Sequence, residues 1–347
     1  MRRPILLLAA AVALLAPSQS FASRTAQSWA AAEIRAVVKH GLMAPDAASF
    51  RPDDVLVRSD LEQLVSGLRP EAAPVVRRGD EPVTMAVLNA RLVAALGLQD
   101  AGRSFAQALR AQGITPTARF GTEVTARMLG LRKNHPAAQD ALERLPNDPA
   151  TRAEAAYSAA RILSFRGWEV ESVRAAAETF ALPQLTPWQR RVLTAAFSLV
   201  GLPYVWGGES ERAVNPFRAQ AQGGFDCSGF VWRVYKRHAY PDAPALAETL
   251  RGRTTFTMSV EVPARDRIPY AELEPGDVVF FGAKGPRSKG PEIDHMGIHV
   301  ADGWFVHSSR DGVTVTPLAG WWRDRFAWAR RPLAEAGLAP PRTPAKR

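Results

Sequence analysis

The sequence predicts an α+β protein in two parts: an all-helical amino-terminal half, then a smaller unit in which helices are followed by hairpin-linked strands. Three observations carry this. Residues 24–181 are rich in Ala, Leu and Arg, with apolar positions at helical spacing and recurring helix leads. Beyond Leu182-Pro183 the pattern changes to two capped helix starts and then short Val-, Ile- and Phe-rich runs bounded by Gly, Pro and Asp. The 347 residues, 46% hydrophobic and 22% charged, have ordinary globular composition and suffice for two domains.

Taken in chain order, residues 1–22 carry the pattern of an export signal. Arg2 and Arg3 precede the apolar run Ile5–Leu15, and Ser20-Phe21-Ala22 places small residues where a signal peptidase reads, so cleavage is expected before Ser23. The run is short for a bilayer, which needs roughly 20 apolar residues, and no later stretch could span one. The formal charge is +10, and losing Arg2 and Arg3 leaves +8. Such a basic exported chain suits an anionic surface, whereas scattered charges without a recognition motif argue against nucleic acid.

Residues 23–182 read as a helical domain. Ile34, Val37 and Val38 mark a first helix ending at Gly41. Phe50-Arg51-Pro52-Asp53-Asp54 forms a turn, and Leu61, Leu64 and Leu68 mark a second helix. Leads of one kind recur at Val83-Thr84-Met85 and Thr151-Arg152-Ala153-Glu154, with a fainter copy at Glu123-Val124-Thr125-Ala126-Arg127. Repetition on this scale predicts stacked helical units. These segments resemble the S-layer homology module, which pairs a turn like Phe50–Asp53 with a helix opening on Thr-Arg-x-Glu. The copy at Thr151–Glu154 is the best match and no copy is complete. The resemblance implies a wall anchor that binds wall polysaccharide; a helical spacer without ligand is the alternative.

Residues 183–335 form the second domain. Thr186-Pro187 is an N-cap followed by proline at the first helical position, and that helix runs to Leu199. Then come Tyr204-Val205-Trp206-Gly207-Gly208, Asp226-Cys227-Ser228-Gly229, the turn Pro275-Gly276-Asp277 feeding the strand Val278–Phe281, and two histidines, His295 and His307. Residues 336–347 have the composition of a disordered tail.

Cys227 is the sole cysteine, so no internal disulfide can form. An exported chain that keeps one thiol buries it or uses it. Phe230, Val231, Val234 and Tyr235 place Cys227 in the first turn of a helix capped by Asp226, where unpaired N–H groups and the helix dipole favour a thiolate. A free thiol near pKa 8.5 is only about 3% ionised at pH 7, so this placement would matter.

His295, Gly297 and His299 share one face of a strand, with Met296, Ile298 and Val300 on the other. A two-residue turn at Asp302-Gly303 would set Ile298 opposite His307 and part the histidines. A three-residue loop, Ala301-Asp302-Gly303, sets Gly297 opposite His307 and His295 diagonal to it, and is the prediction. Gly297, lacking a side chain, lets another element approach that face.

These motifs, in this order, resemble the NlpC-type family of papain-like cell-wall endopeptidases over roughly Thr186–Arg331. The resemblance implies Cys227 as nucleophile, His295 as general base and His307 as the residue orienting it. It implies Tyr204 near the oxyanion site, Asp226 and Ser228 lining the cleft, and a peptidoglycan stem peptide as substrate, cut after D-glutamate at its γ-amide. The chain would then be a secreted, wall-associated thiol protease. The stretches Glu209–Gly224, with Arg212 and Arg218, and Lys284–Pro291 depart from the family pattern; the first would form a lid or reshape the cleft.

No His, Asp and Glu grouping has metal-ligand spacing, so neither metal nor cofactor is expected. His238, His40 and His135 read as helix-end residues, His299 as a neighbour of Phe305, and Trp321 and Trp322 as core or cleft wall. A wall-binding protein without catalysis, and an amidase or acyltransferase using the same dyad, are the competing readings.

Overall fold

The computed structural model describes residues 25–72, 79–214 and 219–339. The export signal, Arg218 and the end of the tail, residues 340–347, lie outside the described residues. The helical half comprises α1 (Ala31–Lys39), α2 (Arg58–Leu68), α3 (Met85–Ala95), α4 (Gln99–Ala111), α5 (Phe120–Met128), α6 (Arg152–Leu163) and α7 (Trp168–Thr179).

The three leads before α2, α3 and α6 close on one another. Leu56 N–H donates to Ala150 O at 2.8 Å, Ala150 N–H to Val83 O at 2.8 Å, and Val83 N–H to Leu56 O at 2.9 Å. Each lead therefore satisfies a neighbour's backbone before its own helix begins. Thr84 and Thr151 then cap α3 and α6 by accepting from Val87 N and Glu154 N. The fainter copy, Glu123–Arg127, is not a fourth lead. It lies inside α5, where Glu123 and Arg127 pair at helical spacing, 3.4 Å apart and buried. Arg152 of the best-matching copy is also buried. It donates through Nε to Phe50 O at 2.8 Å and pairs with Asp60, tying the third lead to the first.

The second part begins with α8 (Pro187–Ser198), opened by a capping box between Thr186 and Gln189. A small hairpin follows, β1 (Glu209–Ser210) against β2 (Gly224–Phe225), and then α9 (Cys227–Trp232), which continues as a wider turn through Arg237. Next are α10 (Pro244–Glu248) and α11 (Thr255–Val260). Strands β3 (Val278–Gly282), β4 (Ile293–Ala301), β5 (Trp304–Ser309), β6 (Gly312–Pro317) and β7 (Phe326–Arg330) form an antiparallel sheet in the order β6-β5-β4-β3-β7. The short helix α12 (Trp321–Arg325) precedes β7.

One sheet face, with Val278, Phe280, Met296, Ile298, Val306 and Val315, joins the main core beneath α9. The other gathers Val279, Phe281, Phe305, Phe326 and Leu318 into a second, smaller cluster. The main core runs without a break into the helical half. Phe180 stacks on Phe105 and on Trp304 of β5, centroids 5.3 and 5.1 Å apart, and Phe120 of α5 meets Phe197 of α8 at 5.5 Å. The helical half is thus packed against the second part, not strung on a linker.

The β4–β5 hairpin departs from the expected loop but keeps its consequence. Asp302-Gly303 forms a two-residue turn with Ala301 opposite Trp304, and the register then shifts so that His299 faces Phe305 and Ile298 faces Val306. A bulge at Val300 absorbs the residue that the loop was expected to hold. Continuing the register places Gly297 opposite His307. A Cβ on Gly297 would lie 2.9 Å from His307 Cβ and 2.8 Å from Val306 O, so only glycine permits this approach.

Candidate active site

Cys227 sits at the first position of α9. Asp226 caps the helix by accepting from Gly229 N–H, and it also accepts from Ser228 Oγ at 2.9 Å. Ser228 is buried in that frame. Arg253, which sequence reasoning passed over, binds the frame together. Its guanidinium donates to Ser228 Oγ at 2.8 Å, to Glu209 at 2.6 Å, and to the carbonyls of Gly207 and Gly208 at 3.2 Å. Asp226 and Ser228 therefore turn their side chains into the support beneath the thiol. The glycines of both motifs are explained by contact: a Cβ on Gly229 would fall 1.8 Å from Gly208 O.

The helix packs on β4, and the N–H of Met296, the residue after His295, turns toward the sulfur, as does that of Ser228. The thiol's side-chain partner is the Thr255 hydroxyl at the start of α11, 3.3 Å away. Burial nevertheless dominates and pushes the Cys227 thiol up to about 11, Asp226 adding to the rise, while Thr255 and the two N–H groups oppose it. The expectation of a thiol made acidic by its helix start is thus reversed at rest. At 8% exposure, desolvation of the thiolate outweighs the first-turn N–H groups.

His295 and His307 meet as the register requires. His295 Nε2 lies 2.8 Å from His307 Nδ1, and His307 Nε2 lies 2.9 Å from the Thr316 hydroxyl on β6. Burial lowers His295 to about 4, with Asp294 raising it and Arg325 lowering it. His307 is also held far below its ordinary value by burial and then by His295. Both rings are therefore neutral at neutral pH. Two neutral rings share one proton per contact. When His295 donates through Nε2 and His307 through its own Nε2, His295 Nδ1 is left as a free base.

Trp322 covers this pair. Its ring lies 4.8 Å from each histidine and 5.2 Å from Phe305 and Phe281, centroid to centroid. Its helix α12 is fastened by Arg325, which donates to both carboxylate oxygens of Asp294 at 2.7 and 2.6 Å. Trp321, beside it, is exposed. Tyr204 pairs with Phe225 just before the helix, and burial, together with Cys227 and Asp226, raises its hydroxyl so that it stays protonated.

The helical half reaches this neighbourhood. Trp206 N–H donates to Asp140 at 3.1 Å and Gln222 donates to Glu143 O at 3.1 Å. Arg127 of α5 binds the carbonyls of Gly201 and Asp311. The base of the Glu209–Gly224 stretch is strapped down by β1–β2 and by Arg233 on Glu211 at 2.9 Å. His135 is not at an exposed helix end. It is buried edge-on to Trp29, centroids 4.7 Å apart.

Residues 201–331 match the NlpC/P60 family. Over 144 residues the chain is 33% identical to the murein DD-endopeptidase MepH of Escherichia coli, covering 40% of this chain and 44% of that protein. It is 31% identical over 145 residues to the probable peptidoglycan endopeptidase LytE of Bacillus subtilis, covering 41% and 34%. It is 32% identical over 130 residues to a gamma-D-glutamyl-L-lysine dipeptidyl-peptidase of the same organism, covering 37% and 34%. The chain thus spans less than half the length of these relatives. Residues 201–331, with the helix-start thiol and the coupled histidines, are an NlpC/P60 domain.

Proposed function

We propose that this chain is an exported cysteine peptidase that cleaves amide bonds in peptidoglycan stem peptides, with Cys227 as nucleophile, His295 as general base and acid, and His307 orienting His295. The observation that carries the reading is the His295–His307–Thr316 relay on β4, β5 and β6, set against the helix that begins at Cys227. The names of its relatives place them in wall-peptide hydrolysis, on more than one kind of bond.

In this reading the reaction starts from neutral partners. Cys227 Sγ bonds to the amide carbonyl carbon as its proton passes to His295 Nδ1, and the carbonyl electron pair moves onto oxygen. The first-turn N–H groups of α9 and the Tyr204 hydroxyl stabilise that oxyanion. Collapse breaks the C–N bond, and the leaving amine takes the proton from His295 Nδ1. Water then attacks the thioester, giving its proton to His295, and the acid product leaves as the thiol is restored. His307 accepts from His295 Nε2–H throughout and holds the ring.

The bond proposed is the γ-D-glutamyl amide before the diamino acid. The ring of three leads supports an S-layer-homology-like module in the helical half, a wall anchor in this proposal. Digestion of purified peptidoglycan by wild-type protein and Cys227→Ala, with fragments weighed by mass spectrometry, tests the whole. Water added at a stem-peptide bond by the wild type alone supports the peptidase and names the bond. A transferred group points to an acyltransferase, and no release from wall or soluble fragments points to a binding protein.

A further inference from the structure

The seam between the helical half and the sheet holds a groove that the peptidase chemistry leaves unused. Two cavities, of about 240 and 370 Å³, meet there and share Gly130, Arg161, Arg310 and Asp311. Together they have the size of an ordinary ligand site. One wall comes from the helical half, with Lys133, Tyr157 and Arg161. The other comes from β5–β6, with Arg310, Asp311 and Thr316.

Of the five cations lining this groove, Arg127 pairs with Glu123 at 3.4 Å and Arg132 lies near Glu143 and Glu154, whereas Lys133, Arg161 and Arg310 are less closely held. Lys133 Nζ rests over the Tyr157 ring at 5.6 Å, and Arg161 donates to Leu129 O at 3.2 Å beside Phe165. Neither is in a close ion pair among the described residues, though Arg161 lies near enough to Asp311 to favour its charged form. Arg310 reaches Asp311 only at 3.9 Å and is exposed. Asp311 is partly withdrawn; burial raises its carboxyl above the ordinary value while Arg310, Arg127 and Arg161 oppose the rise, and it is the one carboxylate lining the groove among the described residues. By contrast, Arg330 and Arg331 of the second part are tied to carboxylates at 2.7 and 2.8 Å. Five lining cations, three of them without a close acidic partner of their own, against the single lining carboxylate of Asp311 give a locally positive channel that concentrates anions.

The groove also has a direction. Thr316 on its wall is the residue whose hydroxyl holds His307 Nε2 at 2.9 Å, so its inner end lies one side chain from the histidine pair. We propose that this seam groove is a second binding site, which grips an oligoanionic segment of the wall, bearing carboxylate or phosphate groups, while an adjacent stem peptide occupies the cleft. The proposal rests on the peptidase reading for the identity of the wall as ligand, and on the groove alone for the binding.

The test uses the full chain with Cys227→Ala, so that no ligand is cut. Binding is measured to purified peptidoglycan freed of phosphate polymers, to the same material with its carboxylates amidated, and to soluble polyphosphate, each across a salt series. The variant Lys133→Gln/Arg161→Gln/Arg310→Gln is compared with a charge-matched control, Arg35→Gln/Arg110→Gln/Arg265→Gln, whose sites lie elsewhere on the surface. The groove variant should bind about 10-fold or more weakly with a shallower salt dependence, while the control keeps its affinity. Loss confined to wall with free carboxylates names the stem peptides as the source, and loss confined to polyphosphate names phosphate polymers. Equal weakening of groove variant and control, or no weakening of either, overturns the proposal. Cleavage of a soluble stem peptide by the wild-type chain is scored in parallel and reads the peptidase assignment by itself.

Discussion

Trp322 packs on His295 with ring centroids 4.8 Å apart, and the same indole touches His307 at an equal distance. It removes water from the outer face of the coupled pair and so accounts for much of the burial that keeps His295 neutral. The base form of His295 then exists at every pH above about 4. Removing the indole lets water reach the ring and returns its pKa toward 6.5, so protonation takes away the base sooner on acidification. Trp322→Ala should move the acid limb of kcat/KM upward by about 1–2 pH units, and Trp322→Phe should keep it near the wild-type position. A pH–rate series on a soluble stem peptide checks this. An unmoved limb would show that Trp322 only packs.

The relay from His295 to Thr316 predicts a graded loss. His307→Ala frees the His295 ring to turn and to hold either tautomer, and kcat should fall about 10²-fold with KM little changed. Thr316→Val removes one hydrogen bond from His307 while leaving the ring in place, so the loss should be about 10-fold. If Thr316→Val costs as much as His307→Ala, the hydroxyl acts on the reaction directly and not through His307.

Much of this site is written in local pattern. The helix start at Cys227, the alternation along β4 and the need for glycine opposite His307 all follow from side-chain periodicity and from one missing Cβ. The hairpin register came out as expected although the loop did not, because burial of Met296 and Ile298 constrains the strand more than the turn does. Thr316 was within reach of the same reasoning: Asp311-Gly312 signals a further hairpin, and Thr316 lies on the His307 face of β6. Arg253 and Thr255 were not, since each meets the site from a separate segment and lies in no repeating pattern; Trp322 was read as core or cleft wall, but its place over the histidine pair comes only from the fold. The resting state of the thiol was misjudged for a related reason. Helix position is visible in sequence, whereas the burial that overrides it comes from the assembled fold.

Arg253 joins the Gly207-Gly208 turn to the Asp226-Cys227-Ser228 turn, and its charge meets Glu209, itself buried. Arg253→Met breaks that ion pair within the fold and should lower stability by about 3 kcal/mol in a urea titration. Gly229→Ala tests the same junction by crowding, since its Cβ would sit 1.8 Å from a backbone oxygen that has no way to retreat. It should be the more damaging of the two. A near-neutral Gly229→Ala would mean that the turn and the helix are free to separate.

Arg127 binds the two halves at the seam, donating to Gly201 O and Asp311 O while pairing with fully buried Glu123. Burial lowers its guanidinium to about 10, and the charge persists through neutral pH. Arg127→Met leaves Glu123 with Asn89 as its hydrogen-bond partner, at 3.0 Å, and without its cation. A loss of about 3–5 kcal/mol is expected. Adding Glu123→Gln removes the unpaired charge and should restore much of that loss. The wild-type chain, with one core running through both parts, should melt in a single transition by calorimetry. Arg127→Met should split it, because the seam is where the two parts share buried charge as well as apolar surface. A wild-type chain that already melts in two well-separated steps would show that the halves are stable apart and that the seam holds them only loosely.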